Sequence, residues 1–270
     1  MSDAPSLLID PARVNALLEG DEVGGRFEIV AVAECSSTNL VLMERAEDAP
    51  SGTVLVADRQ TAGRGSRGRT WVASPEASLT FSVLWAFPGG LERLSGLSLA
   101  VGVAVVRALA RCGVGGVMLK WPNDILYGEA KLGGILIELK AGGGSARAVV
   151  GIGLNLRLPE NIGESGIAAL PPTALARIVA APPDRNVLLA RLLAELARVF
   201  ERFAADGFAG LREAWHACHA WQGRPVRLLR DGRVEREGIC AGADADGALL
   251  VRTADGLERC LSGDVSLRSS

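Results

Sequence analysis

Histidine is nearly missing from this chain. Only two occur in 270 residues, His216 and His219, and they share one predicted helical turn. A Ser-His-Asp relay therefore has no plausible base. Cysteine is also sparse. Cys35, Cys112, Cys218, Cys240 and Cys260 are scattered, odd in number and without a CxxC pair, which favours reduced thiols over a disulfide framework. Neither charge dominates: 29 basic residues face 31 acidic ones, for a net charge of −2. The chain as a whole is no polyanion binder, so any cationic patch is a local device. The most apolar stretch, Leu94 to Cys112, contains Ser95, Ser98, Arg107 and Arg111 and reads as a buried helix rather than a membrane span. No Walker GxxxxGK[ST] pattern, kinase HRD or DFG set occurs, and Gly151-Ile-Gly-Leu-Asn155 lacks the third glycine of a dinucleotide fingerprint.

The first 25 residues read as a lead-in with one short helix over 11–19. Asp3 and Asp10 break any basic-then-apolar leader pattern. This stretch leaves no room for a DNA-binding helix-turn-helix. The expectation is a soluble cytoplasmic protein without nucleic-acid or membrane partners.

The most unusual stretch runs from Gln60 to Trp71. Three glycines (63, 65, 68) alternate with Arg64, Arg67 and Arg69, and Trp71 closes the run. No acid occurs between Asp58 and Glu76. Glycines let backbone N–H groups turn inward as an anion nest. Arginines add planar forks for phosphate and carboxylate. Strand patterns at 53–57 and 78–85 flank it, so it reads as a mobile cationic loop between two strands.

Further strands are expected at 26–34, 117–121, 125–127, 131–139 and 146–156, joined by Gly-rich turns at 128–130 and 142–145. Helices are expected over 40–46, 91–112, 173–179, 187–206 and 208–221, with a polar loop at 159–172. Ser36 to Thr38 either only cap the helix that follows or place its N-terminus and hydroxyls toward a polar ligand. His216, Cys218 and His219 read as packing or a solvated face, because positions 216 and 218 point apart on a helix and no second ligand pair exists. From residue 223 the texture changes to short strands spaced by Asp-Gly turns at 231–232, 246–247 and 255–256. The expectation is an α+β fold: a mixed, largely antiparallel sheet packed with helices over 26–222, followed by a small SH3-like β barrel over 223–270.

Lys120-Trp-Pro-Asn-Asp124, Lys131 and Asn155 fall where strands end or turn, so they can share one sheet edge with the cationic loop. Cations and a nest suit phosphate, and Asp124 beside Asn123 suits Mg²⁺. Together these motifs carry a resemblance. Gly63 to Trp71, Lys120 to Asp124, Lys131-Leu-Gly-Gly-Ile135 and Gly151 to Asn155 stand in the order found in biotin protein ligases, with Ser-Ser-Thr-Asn39 upstream and Val265-Ser-Leu-Arg268 at the end. The form resembled is monofunctional, and its catalytic fold is class II synthetase-like.

The resemblance implies activation of biotin by ATP to biotinyl-5′-AMP, then transfer to a lysine of a biotin carboxyl carrier protein, as in acetyl-CoA carboxylase. It implies Ser37, Thr38 and Gln60 at the ureido ring, Asn39 among the biotin-binding residues, and Gly63, Arg64 and Lys131 at the carboxylate and phosphate. Gly133 and Gly134 would lie along biotin's apolar part. Arg67, Arg69 and Trp71 would order over the adenylate. Asn123, Asn155 and Arg268 would lie on the nucleotide side, with Asp124 at Mg²⁺. Many relatives carry an arginine where this chain has Ser66, which bears on how tightly the loop closes. A lipoate or octanoate ligase is the nearest rival, but its Arg-Arg-x-Ser-Gly-Gly-Gly run is absent. A non-enzymatic biotin-responsive binder is a second, and a homodimer through an edge strand is compatible.

Overall fold

A computed structural model describes residues 7–21, 23–72, 74–142, 145–158, 170–230 and 233–261, with backbone only at 142 and 265–269. Seven strands form one sheet: β1 (Glu28–Cys35), β2 (Thr53–Gln60), β3 (Ser78–Pro88), β4 (Val117–Lys120), β5 (Asp124–Tyr127), β6 (Ala130–Gly142) and β7 (Ser145–Asn155). Their order is β1-β2-β3-β7-β6-β5-β4. β1–β2 is parallel, and the other pairs of this sheet are antiparallel.

Side chains alternate across a pleated sheet, and here the two faces differ sharply. Val54, Val56, Leu79, Phe81, Val83, Ile135, Val150 and Ile152 point to one face and join the main core. Helices α3 (Leu97–Arg111) and α5 (Arg185–Asp206) supply that core's other half. Leu188, Leu192, Leu196 and Phe200 of α5 are fully buried, each contributing about 1.5–3 kcal/mol. Asp184 caps α5 by accepting from the N–H groups of Asn186 and Val187. Phe27, Trp85, Phe87, Phe200 and Phe203 form a chain of ring contacts between β3 and α5. Helix α1 (Pro11–Glu19), capped by Asp10, adds Val14 and Leu18 to the same core. Ile9, Val14, Leu18 and Val23 of the lead-in are therefore packed into the core. On the opposite face α2 (Thr38–Glu44) is the only helix among the described residues, over a small apolar group, Leu42, Leu55, Leu84 and Val149.

Two predicted helices are broken. The one over 91–112 is a 3₁₀ turn (Leu91–Leu94), then Gly96 at φ +77°, then α3. A Cβ at Gly96 would sit 2.7 Å from Phe208, so close packing and the left-handed turn both need glycine there. The one over 208–221 is a 3₁₀ turn (Phe208–Leu211) and a short helix, after α4 (Leu175–Ile178), labelled α6 (Arg212–Ala217). The chain then runs beside β4, with Leu119 N–H donating to Cys218 O and Ala220 N–H to Leu119 O. The sheet edge claims those residues from the helix.

The C-terminal strands β8 (Pro225–Arg230), β9 (Arg233–Ala243), β10 (Leu249–Thr253), β11 (Gly256–Cys260) and β12 (Val265–Ser269) form an antiparallel sheet ordered β11-β10-β9-β8-β12. This is a small β unit, as expected. Closure into a barrel is not found, since no pairing joins β11 to β12 among the described residues. Its 244–248 turn docks on the first unit. Ser95 donates to Asp246 O (2.7 Å) and the Trp121 indole N–H to Gly247 O (3.1 Å).

Candidate functional site

The less covered sheet face holds most of the predicted residues. Pairing aligns Asp124, Gly134, Gly153 and Thr80 in one row across β5, β6, β7 and β3. Leu136, Gly151 and Ser82 form the next row, and Glu138, Val149 and Leu84 the third. Adjacent strands lie about 4.8 Å apart, so the first row spans roughly 14 Å. Three glycines give this floor its depth. A Cβ at Gly151 would lie 2.2 Å from Asn39 Oδ1, and one at Gly153 2.4 Å from the Trp71 ring. Asn39 and Trp71 thus lie flat on bare backbone. At Gly134 the nearest atom is Lys131 Nζ, 3.5 Å away.

A buried polar network lines one end. Thr38 N–H donates to Gln60 Oε1 (2.7 Å), so Gln60, not Ser36 or Ser37, satisfies the first turn of α2; Ser37 occupies the cap position without a side-chain bond. Ser82 Oγ lies 2.6 Å from Asn39 Oδ1 and 2.7 Å from Thr38 Oγ1. Asn39 Nδ2 donates to Glu138 Oε2 (2.9 Å), whose other oxygen accepts from Arg64 Nη1 (2.8 Å). Glu138, Ser82 and Thr80 were missed in the sequence. The available signal was a lone acid inside Ile135-Leu-Ile-Glu-Leu139 and hydroxyls alternating with apolar residues in β3.

The loop closes on itself. Trp71 N–H donates to Gly63 O (2.9 Å) and Gly65 N–H to Arg69 O (2.7 Å). A Cβ at Gly63 would lie 2.2 Å from Trp71 O, so this approach requires glycine. Arg69 donates to Ser66 through both its backbone O (3.2 Å) and Oγ (3.1 Å). Ser66 thus acts as an anchor for Arg69. Arg67 takes φ +61°, a left-handed conformation unusual outside glycine. Trp71 Nε1 donates to Thr80 Oγ1 (3.3 Å).

At the other end, Asp124 accepts from two lysines. Lys120 Nζ is 2.7 Å from Oδ2, and Lys131 Nζ bonds Oδ1. Burial alone would push the Asp124 carboxyl up, but the two ammonium groups hold it well below the usual carboxylate range. This does not suit a magnesium site. Both oxygens are engaged by lysine ammonium groups, which leaves little lone-pair capacity for a hard cation. A Mg²⁺ at Asp124, as expected from the sequence, would have to displace one of these lysines.

Other expectations shift as well. A side chain at Gly133 would meet Leu154 and Ile125 in the core, so its smallness serves packing under the sheet, not the floor. Asn123 Nδ2 donates to Ile135 O (2.8 Å), and Asn155 Nδ2 to Thr173 O (3.0 Å), so both fix turns at the rim. Arg268 lies on β12 opposite Arg227, but its side chain is outside the described residues, as is most of the polar loop at 159–172. His219 stacks on Trp215 (4.2 Å between centroids), and the His216 ring accepts from Ala243 N–H (2.9 Å), so both pack rather than gather a metal.

Comparison with known proteins points the same way. A model described as "Biotin/lipoate A/B protein ligase family" matches residues 32–155, and one described as "Biotin protein ligase C terminal domain" matches 223–268. The chain is 33% identical to the bifunctional ligase/repressor BirA of Salmonella typhimurium, over 98% of this chain and 80% of that protein. It is 34% identical to the biotin–[acetyl-CoA-carboxylase] ligase of Paracoccus denitrificans, over 82% of this chain and 92% of the relative. Among solved structures it resembles the biotin protein ligase from Aquifex aeolicus in complex with biotin and ATP. That match has a TM-score of 0.77 and 32% identity, covering 90% of this chain and 99% of that one.

Proposed function

The chain belongs to the biotin protein ligase family, and from that premise we propose how its sheet face carries the reaction. The protein activates biotin with ATP to biotinyl-5′-AMP and transfers biotin to a carrier-protein lysine. A biotin carboxylate oxygen attacks the α-phosphorus, the mixed anhydride forms, and pyrophosphate leaves. The carrier lysine amine then attacks the acyl carbon and AMP leaves. Each step gathers anions and needs water kept away.

The observation that carries this reading is the glycine floor between two charged ends. Gly134 leaves a slot of open floor beside Lys131, while Asn39 and the lid residue Trp71 lie over Gly151 and Gly153. The Thr38, Asn39, Gln60 and Ser82 network offers donors and acceptors to a ureido ring, with Ser37 buried beside it. Lys131, one-quarter exposed and held at Asp124, faces the carboxylate and phosphate from the other end. Arg64 is half-exposed on Glu138 and can turn to the same anion. The loop carrying Gly63, Arg67, Arg69 and Trp71 acts as the lid over the adenylate. Asn123, Asn155 and Arg268 are assigned to the nucleotide side. Magnesium is assigned to the phosphates of ATP and to no protein carboxylate. The domain division we assign is 1–25, 26–222 and 223–270. No helix among the described residues is long and apolar enough to cross a membrane. A second copy pairing edge to edge would use β1, because residues 218–220 cover β4.

Pyrophosphate exchange with biotin, lipoate and octanoate, followed by labelling of a carrier domain, tests this. Exchange with biotin alone, and labelled carrier lysine, are expected. Exchange only with lipoate or octanoate would overturn the substrate. Biotin and nucleotide binding without labelling would make the protein a non-enzymatic binder.

A further inference from the structure

Lys120 stands one strand from the slot yet cannot reach it. Its side chain is 4% exposed, with Asp124 on one side and the Trp221 ring 5.4 Å from its Nζ. Asp124 is itself buried and bonded to Lys131 through its second oxygen. The three charges sum to +1, and only Lys131 opens toward the floor at Gly134. A buried carboxylate resists losing a sole partner, because an uncompensated charge is left behind. With two lysines on Asp124, Lys131 can leave for an incoming anion while Lys120 still neutralises the carboxylate.

We propose that Lys120 is a positioning residue: by sharing Asp124, it releases Lys131 to the carboxylate and phosphate of biotin and its adenylate. The inference rests on Lys131 meeting those anions, as argued above. Without the Lys120 charge, Asp124 would hold Lys131 as its own counter-ion. Lys120 and Lys131 are then unequal partners, one fixed and one mobile. The buried Trp221 ring lies over the fixed lysine.

The test is a four-member set: wild type, Lys120→Gln, Asp124→Asn and the double variant. Lys120→Gln keeps a donor at Asp124 but removes the charge. Biotin-dependent pyrophosphate exchange should fall at least tenfold in Lys120→Gln. The double variant should recover to within about threefold of Asp124→Asn alone, because Lys120 acts only through that carboxylate. Thermal melting checks that each variant folds. Should Lys120→Gln melt early, the comparison of the double variant with Asp124→Asn still decides. Equal exchange supports the proposal, and a further tenfold loss in the double overturns it. Normal exchange in a folded Lys120→Gln also overturns it while leaving the ligase reading standing. Absence of exchange in wild type would remove both.

Discussion

The two faces of the seven-stranded sheet are made from the same strands and share every backbone hydrogen bond, yet they do different work. On β3, Leu79, Phe81 and Val83 enter the helix-covered core while Thr80 and Ser82 face the slot. On β7, Val150 and Ile152 alternate with Gly151 and Gly153 in the same way. One face is buried under α3 and α5. The other is left bare at three glycines, and side chains from elsewhere, Asn39 and Trp71, lie across it. Stability and chemistry are therefore interleaved at single-residue spacing. A one-residue slip of register would exchange them.

The sharpest break of this comparison is a pair of substitutions in the two faces. Phe81→Ala should cost about 3–5 kcal/mol of stability, since a fully buried ring leaves a cavity. Its Kd for biotin should stay near wild type at temperatures where it remains folded. Lys131→Ala should do the reverse: melting within a few degrees of wild type, and a loss of roughly 10²–10³-fold in carrier labelling, about 3–4 kcal/mol of transition-state stabilisation. Near-normal labelling by Lys131→Ala would remove that lysine from the reaction. Equal loss of stability in both variants would erase the distinction between the faces.

Much of this division was legible in the residues and some was not. Strand periodicity located all seven strands of the main sheet within a few residues, because alternation is a local signal. Motif order drew Thr38, Asn39, Gln60, Arg64, Lys131 and Gly134 to one face. Three things depended on contacts far apart in the chain. Gly133 and Gly134 look alike in sequence, but only register tells which meets Leu154 in the core and which opens the floor. Asp124 reads as a metal carboxylate in sequence, and only the fold shows the two lysines bonded to it. The helix expected over 208–221 ends at Ala217 because the β4 edge takes up the chain, a tertiary demand that overrides local propensity.

The faces should also differ in their response to acid. On the packed side, burial lowers the pKa of His219 to about 4 from 6.5. The unfolded chain then binds the proton more tightly, so stability from this group is complete above pH 6.5 and is lost as pH falls toward 4. The loss amounts to about 3 kcal/mol, since each tenfold difference in proton affinity between the folded and unfolded chain is worth about 1.4 kcal/mol. On the slot side, Asp124 is also depressed, against burial and through its lysines. Its contribution is complete above the ordinary value of 3.8 and fades only below it. Chemical denaturation across roughly pH 7 to 4 should show a decline that His219→Phe, which preserves the stack on Trp215, flattens. An unchanged slope in that variant would place the loss elsewhere.

The smallest expected effect concerns Glu138, where the two faces' logic meets on one strand. Its neighbours Ile135 and Ile137 pack against the core, while its carboxylate bridges buried Asn39 and half-exposed Arg64. Both partners donate, so two acceptor oxygens are needed. A glutamine offers one oxygen and one amide. In Glu138→Gln the buried Asn39 keeps the oxygen, because an unsatisfied buried donor costs more than an exposed one. Arg64 is then released. The lost ion pair is half in solvent and contributes under about 1 kcal/mol, so melting should barely move. The lid, however, loses its tie to β6 next to a loop already held at Arg69 by Ser66. Biotinyl-5′-AMP should dissociate several-fold faster from this variant, measured by stopped-flow after rapid dilution. A dissociation rate equal to wild type would mean that Arg64 holds the lid without Glu138, and that the acid on β6 serves Asn39 alone.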